Sequence, residues 1–183
     1  SREVDPHWRF SMIKTNRVVQ WFGPIDTEKF NRVTSDIVRL WKDEEADIFL
    51  FINSAGGEAS IGFAFYDLMK ALKIKLTTVA IGEVDSMAII VFLTGEHRLV
   101  SPHTSMFFHQ PSRSFAANRP MPSRSMRAGV QEMDRMELWY ANIIEKETGG
   151  KLSSQAAIDK QLTEESVDSE TMIKLGLAHE LFV

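Results

Sequence analysis

Three observations on this sequence predict an α/β fold with a mostly parallel sheet. Short, nearly all-apolar runs rich in β-branched and aromatic residues alternate with stretches of helical period, and turn residues stand at the junctions. The strand–helix order repeats three times before the chain changes character, which argues for right-handed crossovers with helices covering the sheet.

Arg17–Phe22 is a β-prone run closed by Gly23-Pro24. Asp26 or Thr27 is placed to cap a helix reaching about Trp41, with Phe30, Val33, Ile37, Val38 and Leu40 at near-helical spacing. Asp47-Ile-Phe-Leu-Phe-Ile52 reads as a buried parallel strand, and Asn53-Ser-Ala-Gly-Gly57 as the loop after it. A second helix is expected over Glu58–Leu72, a strand over Leu76–Ile81, and a turn over Gly82–Ser86 leading into a helix over Met87–Leu93. Arg98–Val100 and Ser105–Phe108 are further short strands. Residues 112–124 are rich in Ser, Arg, Pro and Asn, and a long amphipathic helix follows over about Ser125–Glu147, stopped by Gly149-Gly150. One or two shorter helices and a final strand over Ala178–Val183 complete the expectation.

Composition excludes several classes of function. With 183 residues, 44% hydrophobic and 25% charged, the chain can form one domain with its own core. A net charge of −4 and a pI near 5.8 argue against a general nucleic-acid binder. The absence of cysteine removes disulfides, thiol catalysis and cysteine-ligated zinc. The longest apolar run, Met87–Leu93, falls far short of the roughly 18 residues a membrane span needs. Ser1–Phe10 carries charges and a proline where a signal peptide would be apolar. A cytoplasmic protein, with no membrane or nucleic-acid partner, is the expectation.

Two segments can supply chemistry. Gly82-x-x-x-Ser86-Met87 puts a serine where a buried strand turns into a helix, so that its hydroxyl and the free N–H groups of the helix point the same way. Asn53-x-x-Gly56-Gly57 ends the neighbouring strand with backbone that a carbonyl can approach closely. Taken residue by residue, each has a plain alternative: Ser86 as an ordinary N-cap, the glycine pair as a strand–helix turn, and His109 of Met106-Phe-Phe-His109-Gln-Pro111 as a core histidine.

In combination and order, these motifs resemble the proteolytic subunit of the Clp protease family. The residues that carry the resemblance are Phe51-Ile-Asn-Ser-Ala-Gly-Gly57, Gly62-x-x-x-Tyr66-Asp67, Gly82-x-x-x-Ser86-Met87 and His109-Gln-Pro111. Gly23-Pro-Ile-Asp26 and Gly176-Leu177 extend it from about Arg17 to the carboxyl end. The resemblance implies a Clp/crotonase-type spiral of β-β-α units with a protruding strand–helix handle. It divides the chain into an axial segment (1–16), a head (17–111 and 148–183) and a handle (112–147).

The same resemblance implies a serine endopeptidase. Ser86 would attack the peptide carbonyl, His109 would be general base and then acid, and the N–H groups of Gly57 and Met87 would form the oxyanion hole. It implies no metal or other cofactor. Family members form heptameric rings, two to a barrel, that take peptides and unfolded proteins, usually from an ATP-dependent unfoldase. Counting back from Gly176-Leu177 puts Glu164 where the family has its catalytic aspartate, and a one-residue gap would put Glu165 there. Asp159 and Asp168 are nearby aspartates, and Asp168 reads as the N-cap of a helix over Ser169–Leu175.

The sequence also departs from the family. Val84-Asp85 precedes the nucleophile where small apolar residues are usual; Asp85 is expected to face solvent or to cap the helix, the other reading being an inward carboxylate that raises the cost of a nearby oxyanion. The handle strand, Ser112-Arg-Ser-Phe-Ala-Ala-Asn-Arg-Pro120, lacks the family's glycines. Arg113, Arg119 and Arg124 are candidates for pairing across a ring interface or for contacting acidic peptides, with a solvated loop as the plain alternative. A catalytically impaired ring subunit is therefore the leading alternative. A crotonase-type acyl-CoA enzyme has no need of the Ser–His pair, and a signal-peptide-peptidase relative would need a lysine base and a membrane anchor.

Overall fold

The computed structural model describes residues 17–42, 47–112 and 120–182. The expected axial segment, Arg113, Arg119 and most of the expected handle strand lie outside these residues. In chain order the elements are β1 (Val18–Phe22), α1 (Thr27–Trp41), β2 (Ile48–Ser54), α2 (Ala59–Ala71), β3 (Leu76–Val84), α3 (Met87–Phe92), β4 (His97–Val100), β5 (Ser105–Phe107), α4 (Ser123–Glu147), α5 (Ser154–Leu162), β6 (Ser166–Asp168), α6 (Ser169–Lys174) and β7 (Glu180–Leu181).

Strands β1-β2-β3-β4-β7 lie side by side in that order, all parallel. A smaller sheet branches from the end of β3, where Glu83 pairs in parallel with Ser105 of β5, and β5 pairs antiparallel with β6. Strand β2 alternates buried with half-buried residues, and β3 is buried on both faces from Leu76 to Ala80. Ile48, Leu50, Ile52, Val79 and Ala80 are all buried, and so is every residue of α3. Asp26 caps α1 through its side chain, accepting from Lys29 N at 2.8 Å, and Val33, Ile37 and Leu40 of that helix meet the core.

Three differences from the sequence-based reading have local causes. β3 runs on to Val84 instead of stopping at Ile81. The Asn53 amide donates to Ile81 O at 2.8 Å, Gly82 bends the strand at φ +70°, and the ladder shifts register between Ile52 and Ser54 before pairing resumes. β6 escapes sequence reading because three residues with one buried side chain, Val167, carry no periodicity. The last strand is only two residues long, since Ala178 N still bonds Met172 O as part of the turn after α6.

α4, 25 residues and about 37 Å long at 1.5 Å per residue, is apolar on two sides with different fates. Tyr140, Ala141 and Ile144 are buried against the head, while Met126, Val130, Leu138 and Trp139 are exposed. Arg98 fastens the end of this helix to the head. Its guanidinium donates to the carbonyls of Glu147, Gly176, Leu177 and Gly95 at 2.7–3.2 Å. One buried side chain thus ties β4, α4 and the turn after α6 together, which fixes the second half of α4 beside the end of β3.

Candidate active site

The junction of β3 and α3 is held from three directions. Asp85 N donates to Ser54 O at 2.9 Å, Ser86 N to Phe107 O at 2.8 Å, and the phenol of Tyr140 to Ser86 O at 3.0 Å. Between these anchors Ser86 adopts φ +52° and ψ −122°, a conformation that L-residues rarely take and that costs on the order of 1–3 kcal/mol. A sharp strand-to-helix turn of this kind lifts a serine hydroxyl clear of the backbone. The plain N-cap alternative fails here, because the Ser86 side chain makes no capping hydrogen bond to α3. Its hydroxyl opens instead on a cavity of about 630 Å³ that His109, Gly57 and Met87 also line.

Gly56 packs directly on this turn. A Cβ at that position would stand 2.9 Å from both Asp85 O and Ser86 Cβ, so any side chain would push the turn out of place. Two residues that line the cavity have amides without an acceptor among the described residues. The ladder formed by Ile25 N to Gly56 O and Glu58 N to Ile25 O leaves the Gly57 N–H pointing away from Ile25. In α3, the first bonded amides are Ala88 (to Asp85 O) and Ile89 (to Ser86 O), and Met87 N is left over. Free amides beside a free hydroxyl are the donors that a developing oxyanion requires.

His109 lies just past β5, partly exposed at the cavity wall; it is not a core histidine. Its Nδ1 is 2.9 Å from Gln110 O, and its ring tilts against Phe107 at 5.8 Å between centroids. The structure brings Ser86 and His109 to one cavity without a hydrogen bond between them.

The candidate acids are distributed as follows. Asp168 caps α6, accepting from Thr171 N at 2.8 Å, as its sequence context suggests. The Glu165 carboxylate pairs with Lys160 at 2.7 Å, while its backbone carbonyl accepts from Phe108 N at 2.9 Å. Asp159 accepts from Gln155 on the surface of α5. Glu164 stands in the turn between α5 and β6 at φ +51°, exposed, with no side-chain partner among the described residues. None of these four carboxylates lines the cavity.

Asp85 neither caps α3 nor faces water freely. Its Oδ1 accepts from Phe107 N at 2.9 Å, which ties the Ser86 turn to β5. Burial raises its pKa above the usual carboxylate range and Glu83 adds to the rise, while the Phe107 N–H and nearby His109 oppose it. Tyr140 is the functional residue that sequence reading missed. It is buried, its phenol is held far above its ordinary pKa by burial and by Asp85, and it clamps the Ser86 carbonyl. Its only signal was position, seven residues after Met133 on the inward face of α4. Among the described residues no cluster of three or more His, Cys, Asp or Glu side chains is suited to a metal, and no helix is long and apolar enough to cross a membrane.

Two measurements follow from this geometry. Ser86→Gly relaxes the turn and Ser86→Ala does not, so the glycine variant should be more stable than the alanine one by about 1 kcal/mol in denaturant unfolding; equal or reversed stabilities would mean the turn stores no strain. Asp85→Asn keeps an acceptor for Phe107 N and removes a buried charge. A raised native pKa means Asp85 supports folding when protonated, and loses that contribution as pH rises through its folded value. The asparagine variant should therefore gain stability over the wild type near neutral pH, with the gain shrinking toward about pH 4. A gain independent of pH, or a loss at neutral pH, would contradict this.

Comparison with known proteins bears on the family and the fold. A family model described as Clp protease matches residues 4–182. The ATP-dependent Clp protease proteolytic subunit 2 of Borreliella burgdorferi is 30% identical over 161 residues, covering 81% of this chain and 78% of that one. Subunit 1 of Streptomyces coelicolor is 32% identical over 111 residues, 60% of this chain and only 51% of the relative. In three dimensions the chain resembles a point mutant of ClpP1 from Listeria monocytogenes, with a TM-score of 0.78 and 91% of each chain covered at 23% identity, which speaks to the fold. By its motifs, its fold and the span of the family match, the chain belongs to the Clp protease family.

Proposed function

We propose that the protein is a serine endopeptidase subunit that hydrolyses peptides and unfolded proteins inside a ring assembly in the cytoplasm. The observation that carries this reading is the non-capping hydroxyl of Ser86, held in a strained turn, sharing one cavity with His109 and two unbonded amides. Ser86 Oγ attacks the substrate carbonyl as His109 takes its proton. The N–H groups of Gly57 and Met87 receive the oxyanion, and the imidazolium then protonates the leaving amine. Water repeats the sequence on the acyl-enzyme. No metal or other cofactor is needed for these steps.

For the carboxylate that orients His109 we propose Glu164. Glu165 is paired with Lys160 and Asp168 is occupied as a cap, whereas Glu164 is unpartnered among the described residues and follows directly on α5. Its φ of +51° is uncommon for a glutamate, and backbone outliers of this kind cluster at functional sites. The exposed apolar side chains of α4, Met126, Val130, Leu138 and Trp139, support its role as a handle between subunits. A homo-heptameric ring, two stacked rings and an ATP-dependent unfoldase as partner belong to the same proposal, with Arg124 at the start of α4 available for pairing across an interface.

A second reading, an impaired ring subunit, draws on one observation: His109 Nδ1 meets a backbone carbonyl and no carboxylate. Fluorophosphonate labelling with peptide turnover separates the two. The proposal expects one adduct, at Ser86, and a loss of about 10⁴-fold or more in kcat for Ser86→Ala. Glu164→Gln should lower kcat by roughly 10²-fold or more through disturbed orientation of the imidazole. Absence of an adduct in the assembled oligomer would favour the impaired subunit, and unchanged turnover in Glu164→Gln would assign the acid elsewhere.

A further inference from the structure

Among the described residues, two buried side-chain polar atoms have no hydrogen-bond partner: Oε1 of Glu137 and Nε2 of Gln161. Both residues line the cavity of Ser86 and His109. Gln161 is 1% exposed, at the end of α5, and Glu137 sits four residues after Met133 on α4, on the same inward face. A carboxylate on the inward side of an amphipathic helix breaks the helix's own pattern. Leaving a buried donor and a buried acceptor unpaired is costly, and native structures do so where something else completes the bonding.

We propose that this cavity selects the substrate side chain that enters it by hydrogen bonding, and favours a primary amide, that of glutamine or asparagine. The proposal rests on the peptidase reading for the ligand being a peptide. One amide carries both groups the orphan atoms lack: a carbonyl to accept from Gln161 Nε2 and an NH₂ to donate to Glu137 Oε1. Phe63, Met133 and Met136 offer apolar walls for the methylene stem. Aliphatic side chains leave both atoms unpaired. An acidic side chain meets the Glu137 carboxylate with like charge, in a cavity where Asp26, Glu58 and Glu132 add acid and no lysine or arginine lines the wall among the described residues. A lysine would satisfy Glu137 and leave Gln161 Nε2 unpaired. A site built to bond a polar group discriminates against an isostere lacking it much more sharply than an apolar pocket discriminates by size.

The test compares peptides differing only at the residue amino-terminal to the scissile bond: glutamine, norleucine, lysine and glutamate. On assembled wild-type protein, kcat/KM for glutamine should exceed that for norleucine by about tenfold or more. In Gln161→Leu, and independently in Glu137→Leu, that ratio should fall toward one. To keep binding separate from catalysis, fluorescence anisotropy on Ser86→Ala protein measures labelled peptides ending in glutamine or norleucine. Tighter binding of the glutamine peptide, lost when Gln161→Leu is added, supports the proposal even if the wild type turns nothing over, an outcome that would defeat the peptidase reading alone. Norleucine equal to or better than glutamine, a lysine preference, a ratio untouched by both substitutions, or no peptide binding at all would overturn the proposal.

Discussion

The β2–α2 loop crosses the Ser86 turn so closely that residue 56 has no room for a side chain, and the geometry of the site depends on that contact. Gly56 lies against Asp85 O and Ser86 Cβ, and the following residue, Gly57, is held by its bridge to Ile25. One close approach thus sets two things at once: the unusual backbone of the serine and the place of one of the two free amides. The turn could not hold such dihedrals by itself. The bonds to Ser54, Phe107 and Tyr140 bring β2, β5 and α4 to bear on it, so strain at one residue is spread over the core.

This dependence explains which parts of the molecule could be read before folding. The cap at Asp26 and the apolar runs of β2, β3 and α3 are local or periodic, and they form where their residues predict. The extension of β3 to Val84 and the existence of β6 rest on partners distant in sequence, the Asn53 amide and β5. Within the site, Ser86, His109, Gly57 and Met87 were legible through motif order, and they converge on one cavity. Tyr140 was not legible, because an aromatic residue on an amphipathic helix looks like core until its hydroxyl is seen on the Ser86 carbonyl. Asp85 was legible as a departure, but its attachment to Phe107 N was not, because β5 lies 20 residues further along the chain. The acid is hardest of all, since a turn with several glutamate and aspartate neighbours carries no periodic signal to single one out.

The cavity combines an apolar wall with polar atoms that the fold leaves unsatisfied. In an ordinary core, Glu137 and Gln161 would be replaced by apolar residues of similar volume at little cost or with a gain. Their position in the cavity of Ser86 would, under the proposed function, put selection of the substrate side chain and attack on its carbonyl in the same enclosure. α4 contributes to both: Glu137 and Tyr140 share its inward face, one lining the cavity and one bonded to the serine backbone.

The account stands on the serine hydroxyl and the two free amides converging on one point. A crystal structure of the fluorophosphonate adduct reads this directly. The phosphoryl oxygen should lie about 2.7–3.1 Å from both Gly57 N and Met87 N, with phosphorus bonded to Ser86 Oγ. An adduct on another residue, or a phosphoryl oxygen directed away from both amides, would contradict it.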